Sequence, residues 1–539
     1  MSRTNTVTRV RRIGAVLFGL AVSMAILPAS ANVGLVQGRL QIQVEDHANG
    51  RAVERYFVDQ ASRRVELAGV RNGGRLTSGS TVRARGSRLG NVLALDSTGT
   101  VELAATAPAE LAYATGVQNV AVILVNFSDA TTQPVSAATV QQAVFGTTDA
   151  FLRENSGGQA WLSGSVMGWY TLPISKSACD PAQISQLADQ AATSAGNNLS
   201  AYTRKFYVFP KNACTWAGLA DVGGANTRAW FNGKFDLENF GHEFGHNLGL
   251  MHSHGLDCDL SPLGTTCTPL SYGDAADIMG NLEGHYNAFQ KQRLGWSTGM
   301  VTMSASGRVT LAPYSGTSGT RAVRIPRGID ASGATTWYYL EYRQPTGFDT
   351  VLGYYGTLSK GVLVRTATEG DGDSTYLLDM TPNSDTSSGF VDLWDSALMA
   401  GATYADSVAK VTVKVVSTDA TGAVVDVTMQ AGGGGGGGST SNLTETVATS
   451  KASYLRGETV GMGSQVLDNG VPVVGISVTF TITRPNGSSV SVNAVTGSNG
   501  TASAVYKLAK KDARGGYGLR AQAKIGNQTA TANTTFSVQ

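Results

Sequence analysis

The feature that most constrains this 539-residue chain is a stretch near its middle, Gly241–His252, with the pattern His-Glu-x-x-His-x-x-Gly-x-x-His. On a helix, His242 and His246 lie four residues apart and project from one face. Two imidazoles so placed can bind one Zn²⁺. Gly249 is expected to end the helix, because glycine accepts the left-handed backbone of a helix C-terminus. The chain would then bring His252 back as a third ligand.

The residue after the first histidine, Glu243, lies about 100° around the helix from it, where its carboxylate can accept a proton from a water molecule at the metal. Three protein ligands leave one coordination position open, which is typical of catalytic zinc sites. The chain has six histidines, and all but His47 lie between residues 242 and 285. A solvated, histidine-rich helix is the alternative interpretation, and the five fixed positions of the pattern disfavour it.

The motif resembles that of the metzincin clan of zinc endopeptidases, which also carries a methionine turn beneath the metal. Asp277–Gly280 fits that turn, with Met279 as the expected methionine. Tyr286–Trp296 is similar to the segment that closes the catalytic domain in the gametolysin-like branch. The resemblance spans roughly residues 117–430 and is close from 240 to 296.

The resemblance implies a zinc-dependent endopeptidase that cleaves extracellular proteins, with Glu243 as general base. Some metzincins also use a tyrosine two residues beyond the turn methionine, but Asn281 stands there in this chain. His285 and Tyr286 are nearby candidates for that role, although surface or packing roles explain them as well. Thr215–Ala220 is a candidate edge strand, which in the family pairs with extended substrate.

Two other functions stay open. The C-terminal tail is similar to bacterial Ig-like repeats, which suggests an adhesin or carbohydrate-binding protein with a vestigial protease domain. Its ligand would be a surface or a glycan. The intact ligand set and the glutamate argue against that alternative. Hydrolysis of another amide, such as a peptidoglycan crosslink, is the third possibility.

Composition and the N-terminus predict export. Four arginines between residues 3 and 12 precede an apolar run, 13–27, and Ala29-Ser30-Ala31 is a cleavage pattern. The run is shorter than the roughly 20 residues of a membrane span, so a cleaved signal peptide and a secreted protein without a membrane span are expected. The net charge is only +2, which disfavours nucleic acid as a partner.

The cysteine count agrees with export. An even number of cysteines in an exported chain favours two disulfides. Three pairings are possible. The preferred one joins Cys179 to Cys214 and Cys258 to Cys267, because the second of these bonds closes a short loop between the third histidine and the methionine turn. A second metal site is the weaker alternative, since no two cysteines have CxxC spacing. The four residues are Cys179, Cys214, Cys258 and Cys267.

The expected fold is multidomain: an α/β metzincin-like catalytic domain flanked by a small N-terminal β-domain and C-terminal β-sandwich domains. Seven consecutive glycines, 432–438, indicate a flexible linker before the tail. Helices are predicted at 136–145, 149–154, 181–195 and 235–250, the last with Asp236 as N-cap. The predicted divisions are 1–31 signal peptide, 32–96 small β-barrel or sandwich and possible pro-segment, 97–116 linker, 117–300 catalytic domain, 301–430 β-sandwich, 431–440 glycine-rich linker and 441–539 Ig-like β-sandwich.

Two further stretches contain candidate metal ligands. Some metzincins are silenced by a prosegment cysteine on the zinc, but residues 32–96 contain none, which excludes that mechanism. Asp46 or His47 could substitute, although a solvated loop residue is the favoured interpretation, and a permanently attached β-domain is the alternative to a pro-segment. Glu369–Asp373 could bind Ca²⁺ through oxygen ligands, and a plain acidic turn is favoured there on composition.

Overall fold

The computed structural model shows a mostly β architecture built from several sheets, which agrees with the multidomain prediction. Contacts divide the chain into two compact units, Met1–Ala431 and Gly432–Gln539. The predicted signal peptide and the glycine run lie outside the described residues. The structure describes residues 33–47, 50–61, 63–105, 113–258, 260–264, 266–382, 384, 389–430, 443–468, 471–473, 476–496, 500–525 and 528–539.

The N-terminal part of the first unit is a small closed barrel. Its strands are β1 (Val33–His47), β2 (Arg51–Gln60), β3 (Arg63–Ala68), β4 (Thr81–Leu89), β5 (Val92–Leu95) and β6 (Glu102–Ala105). Strand β1 pairs with both β2 and β4, which closes the ring β4-β5-β3-β2-β1. Leu40, Ile42 and Val44 alternate with more polar residues along β1 and are buried in the barrel core, as a two-residue period requires.

A mixed sheet with helices on both faces follows. Its elements are β7 (Gly116–Phe127), α1 (Ala137–Gln142), α2 (Asp149–Ser156), β8 (Ala160–Leu172), α3 (Pro181–Ser194), β9 (Arg204–Phe209), β10 (Trp216–Asp221), β11 (Thr227–Asn232) and α4 (Leu237–Leu248). The apolar run 120–125 fills both faces of β7, with alternate residues in the core beneath α4 and in the core beneath α3. The four predicted helices are confirmed, with ends shifted by a few residues.

The barrel and this mixed sheet are continuous. Strand β1 pairs antiparallel with β10, so that eleven strands form one sheet in the order β6-β4-β5-β3-β2-β1-β10-β11-β9-β7-β8. The strand predicted at 215–220 therefore exists, but its outer edge is covered by β1. No helix among the described residues has the length and hydropathy needed to cross a bilayer.

The rest of the first unit forms two further sheets around a shared core. The elements are β12 (His254–Asp257), β13 (Thr268–Leu270), α5 (Ala288–Arg293), β14 (Met300–Thr302), β15 (Gly307–Leu311), β16 (Ala322–Ile329), β17 (Thr335–Tyr342), β18 (Val362–Thr368), β19 (Tyr376–Leu378), β20 (Thr403–Asp406), β21 (Val411–Asp419) and β22 (Gly422–Met429). One sheet has the order β13-β12-β19-β18-β17-β16-β14, the other β15-β22-β21-β20. Strands β12 and β13 precede residue 300, so this sheet crosses the predicted boundary between the catalytic and sandwich domains.

The second unit contains two sheets that enclose one apolar core. Its strands are β23 (Leu443–Thr449), β24 (Ser453–Tyr454), β25 (Thr459–Asp468), β26 (Val471–Pro472), β27 (Ser477–Thr483), β28 (Ser489–Val495), β29 (Thr501–Lys507), β30 (Gly515–Ile525) and β31 (Gln528–Val538). The described residues of this unit include no histidine or cysteine. The unit therefore adds no residue of those types to a metal site.

A buried ion cluster joins the segment after the histidine motif to the downstream sheet. The Arg343 guanidinium donates to Glu341 Oε2 at 2.8 Å, to Asp349 Oδ1 at 2.7 Å and to the His285 carbonyl at 3.0 Å. The arginine and both carboxylates are fully buried. Burial stabilises such a cluster only while each charge keeps its partners.

Arg343→Met is expected to lower the free energy of unfolding by about 3–5 kcal/mol, because two buried carboxylates lose a charged donor. Thermal unfolding of the full chain measures this. The matched control is Arg308→Met, since Arg308 forms an exposed pair with Asp426. The control should leave the midpoint unchanged, and equal shifts in both variants would contradict the role given to the cluster.

Candidate metal centre

Helix α4 carries two of the predicted ligands, and both of its ends form as the sequence predicts. The Asp236 side chain accepts from the Asn239 amide at 3.0 Å, and Gly249 closes the helix with φ at 104°. The rings of His242 and His246 project from the same face, with centroids 4.9 Å apart. Every residue of this helix from Asn239 to Leu248 is buried, so its histidine face is shielded from solvent as well as its apolar face.

The turn after Gly249 brings in the third predicted ligand. The His252 ring lies 5.2 Å from that of His242 and 4.8 Å from that of His246, measured between centroids. All three side chains are at least nine-tenths buried. The structure therefore brings together the three histidines that the motif singles out.

The orientation of the imidazoles exposes their metal-binding nitrogens to one another. His242 Nδ1 lies 2.7 Å from the Ile278 carbonyl, and His246 Nδ1 lies 2.8 Å from the Leu250 carbonyl. A carbonyl oxygen can only accept, so each Nδ1 carries a proton, and in the neutral ring each Nε2 then has the lone pair. This is the tautomer in which a histidine ligates a metal, with its second nitrogen fixed by a backbone group.

A fourth group, Asp46 of strand β1, completes the cluster. Its Oδ2 lies 3.5 Å from His242 Nε2 and 3.2 Å from His246 Nε2, and its Oδ1 lies 2.8 Å from His252 Nε2. The side chain is buried, so the favoured interpretation of a solvated loop residue is wrong. The residue lies in a strand that is paired on both sides, and this pairing carries it out of solvent and into the centre.

The sequence contains a local pattern that indicates burial of Asp46. Leu40, Ile42 and Val44 set an inward-facing period of two, and Asp46 is the next residue in that series. A carboxylate on the buried face of a strand needs a partner. The identity of that partner depends on a pairing between residues almost two hundred positions apart, which no local pattern reveals.

The four groups fit a metal ion. Among the described residues, none of the three Nε2 atoms, nor Asp46 Oδ2, has a hydrogen-bond partner with acceptable geometry, although all are buried and His252 Nε2 lies 2.8 Å from Asp46 Oδ1. Burial lowers the pKa of His252 to about 4, so its ring is neutral at pH 7. At His252, an Nε2 lone pair would therefore face the Asp46 carboxylate, which is repulsive unless a cation lies between them. The edges of a tetrahedral zinc site with bonds of 2.0–2.2 Å measure about 3.3–3.6 Å, close to two of the three separations above.

Glu243 lies beside this cluster and is completely buried. Neither of its carboxylate oxygens has a hydrogen-bond partner among the described residues. Burial raises the pKa of Glu243 well above its usual range, and the Asp46 charge raises it further. A cation at the cluster would oppose both effects. A carboxylate held free of hydrogen bonds next to a metal site is equipped to accept and return a proton.

The position of Glu243 requires a glycine on strand β10. A Cβ atom added at Gly218 would overlap Glu243 Oε1. Strand β10 and the glutamate therefore approach each other as closely as a residue without a side chain permits. Gly218 is a site residue that the motif did not reveal.

Gly218→Ala is expected to push the Glu243 carboxylate aside and reduce kcat for peptide hydrolysis by roughly 10²-fold, the cost of a displacement of about 1 Å at a catalytic group. Metal content should not change. The control is Gly463→Ala, where nothing lies within 4 Å of an added Cβ atom. An unaltered kcat in the Gly218 variant would show that the glutamate does not depend on this contact.

The turn methionine supports the floor of the site. Met279 is fully buried, and a Cβ atom at Gly245 of α4 would overlap its sulfur. The Met279 carbonyl accepts from the Ser253 amide at 2.9 Å, which fixes the chain next to the third histidine. Met279 thus contacts the helix between its two histidines and anchors the segment that carries His252.

The other predicted candidates lie away from the metal-binding nitrogens. His285 Nε2 is 2.7 Å from Glu154 Oε1, and its Nδ1 is 3.0 Å from Lys291 Nζ. Tyr286 donates from its hydroxyl to the Gly241 carbonyl at 2.9 Å, on the core side of α4. Both side chains have structural partners, and of the alternatives weighed for them the packing role is the one supported by these contacts.

A different tyrosine, Tyr272, reaches the centre. Its hydroxyl donates to Asp46 Oδ1, and its ring centroid lies 4.2 Å from that of His252. Its backbone is left-handed, with φ at 57°, a conformation that costs a non-glycine residue about 1–3 kcal/mol and is concentrated at functional sites. Burial and the Asp46 charge raise the pKa of Tyr272, so the hydroxyl stays protonated as a donor. Sequence spacing gave no indication of it.

The centre opens into a cleft of about 490 Å³. Its wall includes His242, the glutamate, Tyr272, strand β10 at Ala217 and the methionine turn at Gly280 and Asn281. The end of strand β1 also lines it, at Asp46 and His47. The cleft thus has several polar groups converging on one point, as binding sites do.

The cysteines form the preferred pairing. Cys179 is bonded to Cys214, and Cys258 is bonded to Cys267. The first bond joins the segment before α3 to the residues before β10. The second bond closes the short loop between β12 and β13, downstream of His252. Both therefore brace segments that lead into the cleft.

The acidic turn near residue 370 has protein partners. His254 Nε2 lies 2.9 Å from Asp373 Oδ1, and Arg75 of the barrel lies 3.8 Å from Asp371. Among the described residues, only Asp46 and the three histidines form a cluster suited to a metal ion. Calcium binding at this turn stays a prediction without support from the geometry.

One family model matches the chain. It describes the gametolysin peptidase M11 family and covers residues 118–335, about two fifths of the chain. The match supports a gametolysin-like peptidase, and it includes the histidine motif, Glu243 and the methionine turn. It begins after the barrel and ends within β17. The chain matches no curated protein.

Solved structures show only weak likeness. A tetra-tandem repeat from the extending region of a large adhesion protein is 11% identical, over 95% of this chain and 96% of that one, with a TM-score of 0.18. The native conformation of Escherichia coli alpha-2-macroglobulin is 12% identical over 60% of this chain and 13% of that one, at 0.16. The CARDB domain of a Pyrococcus furiosus protein with di-metal ions is 15% identical over 18% and 89%, at 0.15. Scores this low do not indicate a shared fold.

Proposed function

We propose that this chain is a secreted, zinc-dependent endopeptidase of the metzincin type that hydrolyses peptide bonds of extracellular proteins. The observation that carries the proposal is the convergence of three buried Nε2 atoms beside the carboxylate of Glu243, at a cleft that His242 and Glu243 line. The family match supports the peptidase activity. The two disulfides are compatible with an extracellular location.

Zinc is the proposed ion because three neutral imidazoles with one further position form the donor set of catalytic zinc sites. His242, His246 and His252 would hold it. When bound, the ion would supply Lewis acidity that polarises the scissile carbonyl and makes water more acidic. Met279 and Gly249 are proposed to position these ligands, the first through its packing against α4 and the second by turning the chain.

The protein's own groups account for the proton transfers. Glu243 accepts a proton from the attacking water while the oxygen of that water bonds to the carbonyl carbon. The same carboxyl group then gives the proton to the leaving amine as the C–N bond breaks. No side chain or backbone group among the described residues forms a hydrogen bond with this carboxylate, so none competes for that proton. The negative charge that develops on the carbonyl oxygen must be stabilised by hydrogen-bond donors.

Tyr272 is the donor that the geometry offers. Asp46 Oδ1 occupies the place at which an oxyanion would accept from its hydroxyl, and a hydroxyl kept protonated by burial is suited to that task. We assign to it the role that a tyrosine two residues beyond the turn methionine has in some metzincins.

Tyr272→Phe is expected to reduce kcat by about 10²-fold with little change in KM, because the lost hydrogen bond forms only in the transition state. Steady-state kinetics on a fluorogenic peptide measure both constants. Tyr376→Phe is the matched control, since that ring stacks on His254 away from the cleft. A rise in KM with kcat unchanged would assign Tyr272 to ground-state binding.

The substrate class is an extended polypeptide. Strand β10 flanks the glutamate, and an extended chain can pair with its outer edge through main-chain hydrogen bonds. Strand β1 shows that this edge accepts an antiparallel partner, with Asp46 opposite Gly218. The division into domains and an interaction of the Ig-like tail with a surface or glycan remain part of the proposal. No described contact favours the adhesin alternative.

The deciding experiment is digestion of a denatured protein mixture by the purified full chain and by its Asp46→Ala variant, with cleavage sites mapped by mass spectrometry. Cleavage by either protein that a chelator abolishes supports the proposal. The chain with Glu243→Ala is the control for contaminating proteases. Absence of chelator-sensitive cleavage in both proteins would contradict a peptidase function, and a preference for peptidoglycan crosslinks would redirect it.

A further inference from the structure

The barrel occupies the edge at which a substrate would pair. Strand β1 runs antiparallel to β10 with Gln43 opposite Asp221, Val44 opposite Ala220 and Asp46 opposite Gly218. The same strand pairs with β2 on its other side, so its main chain is fixed from both directions. The path that an extended peptide would follow past the glutamate is therefore filled by the chain's own N-terminal segment.

The register changes at the metal-binding residues. Between Asp46 and His47 the pairing with β10 shifts by one residue, so that His47 lies opposite Trp216 and Ala217 is passed over. Bulges of this kind re-aim side chains beside active sites. Here the irregularity coincides with the one residue of β1 whose carboxylate reaches all three histidines.

Several contacts besides the strand pairing hold the barrel in place. Val222 and Met251, from the two ends of the segment that carries the helix histidines, are buried within the barrel's own core cluster. The Arg75 guanidinium donates to Asp330 Oδ2 at 2.5 Å, and the Gly372 amide donates to the Gly74 carbonyl at 2.6 Å. The barrel thus contacts both the segments that flank α4 and the loops of the downstream sheet, which keeps Asp46 at high effective concentration over the histidines.

We propose that Asp46 is the fourth ligand of the metal and that the N-terminal barrel is thereby an intramolecular inhibitor of the peptidase. This inference rests on the proposed function. Asp46 takes the coordination position that catalysis needs open, and β1 takes the strand edge that substrate needs free. Its carboxylate also accepts from Tyr272, so one residue engages the metal-binding groups and the oxyanion donor together.

The ligand role has a readout that does not depend on activity. In the full chain carrying Glu243→Ala, which cannot digest itself, the metal is exchanged for Co²⁺ and visible absorption is recorded. Asp46→Ala and Asp46→Asn are each expected to change the ligand-field bands, because a carboxylate ligand is lost. The affinity for acetohydroxamate, a small metal-binding probe, should rise roughly tenfold or more once it no longer competes with a tethered ligand.

Glu45→Gln is the matched control for this measurement. Glu45 is the neighbour of Asp46 on β1, but its carboxylate pairs with Arg55 at 2.6 Å. Its variant should give the parent spectrum and the parent affinity for acetohydroxamate. Bands and affinity that are the same in both Asp46 variants and the parent would overturn the assignment of the fourth ligand. Asp46→Asn keeps the shape of the side chain, so it covers the case in which Asp46→Ala does not fold.

The inhibitory role is tested in the chain that retains Glu243. Asp46→Ala should raise the initial rate of cleavage of a short fluorogenic peptide roughly tenfold or more over the parent chain, and Glu45→Gln should not. Changed Co²⁺ bands without a rise in rate, in a variant that does cleave, would overturn the inhibitory role. If no variant cleaves any peptide while the bands still change, the peptidase proposal fails and the fourth ligand stands.

Discussion

Glu243→Gln is expected to lower kcat for peptide hydrolysis by about 10⁴-fold, at the upper end of what a general acid–base group contributes, because this one carboxylate serves both proton transfers. Metal content should stay at one ion per chain, since the three histidines are untouched. The amide is nearly isosteric with the carboxylate, and its fit against Gly218 preserves the cleft. Kinetics and elemental analysis of the same preparation give both values.

The control for this prediction is Glu238→Gln. Glu238 lies in the first turn of the same helix and also lines the cleft, but it pairs with Lys234 at 2.5 Å and lies away from the histidines. Its variant should keep kcat within a few-fold of the parent. Retention of full activity by Glu243→Gln would exclude Glu243 as the proton carrier, whatever the metal content.

Removal of the metal is expected to abolish hydrolysis and to destabilise the first unit. An ion present at 100 times its Kd contributes about 2.7 kcal/mol to folding stability, and that contribution is lost when a chelator removes it. Without the ion, Asp46 and the three histidines would lose the ligand they share, so part of the β1–β10 pairing should weaken as well. A scan of thermal unfolding with and without chelator measures the change.

His246→Gln should reproduce the effect of the chelator, because His246 is a fully buried member of the cluster. The matched control is His254→Gln, a histidine of the neighbouring segment whose Nε2 pairs with Asp373 instead. The control should keep both metal and activity. Stoichiometric metal and unchanged activity in His246→Gln would contradict the predicted ligand set.

The strands and helices of the mixed sheet could be predicted from the sequence because their signals are local. The run Val120–Val125 is apolar at every position, which predicts a strand covered on both faces, and Asp236 with Gly249 mark the two ends of the motif helix. Spacing alone placed two histidines on one helix face. Each of these inferences uses residues that are near one another in the chain.

The remainder of the site depends on pairings that are distant in sequence. Asp46 and Gly218 are brought together by the β1–β10 register, and Tyr272 reaches the cluster through a left-handed turn. A two-residue period can indicate that a side chain is buried, but it does not identify the partner strand. The sheet that spans the predicted boundary at residue 300 has the same origin, because β12 and β13, which follow His252, pair into a sheet formed mainly by strands from beyond that residue.

The sheet that contains strands from both sides of residue 300 limits where the chain can be divided into exchangeable domains. Strand β12 begins two residues after His252 and pairs in parallel with β19, and the His254 amide donates to the Thr375 carbonyl at 3.0 Å. A gene rearranged at residue 300 would separate the third histidine from the strands that hold its segment. Shuffling in evolution, and grafting in the laboratory, should therefore succeed at the junction near residue 431 and fail at the earlier one.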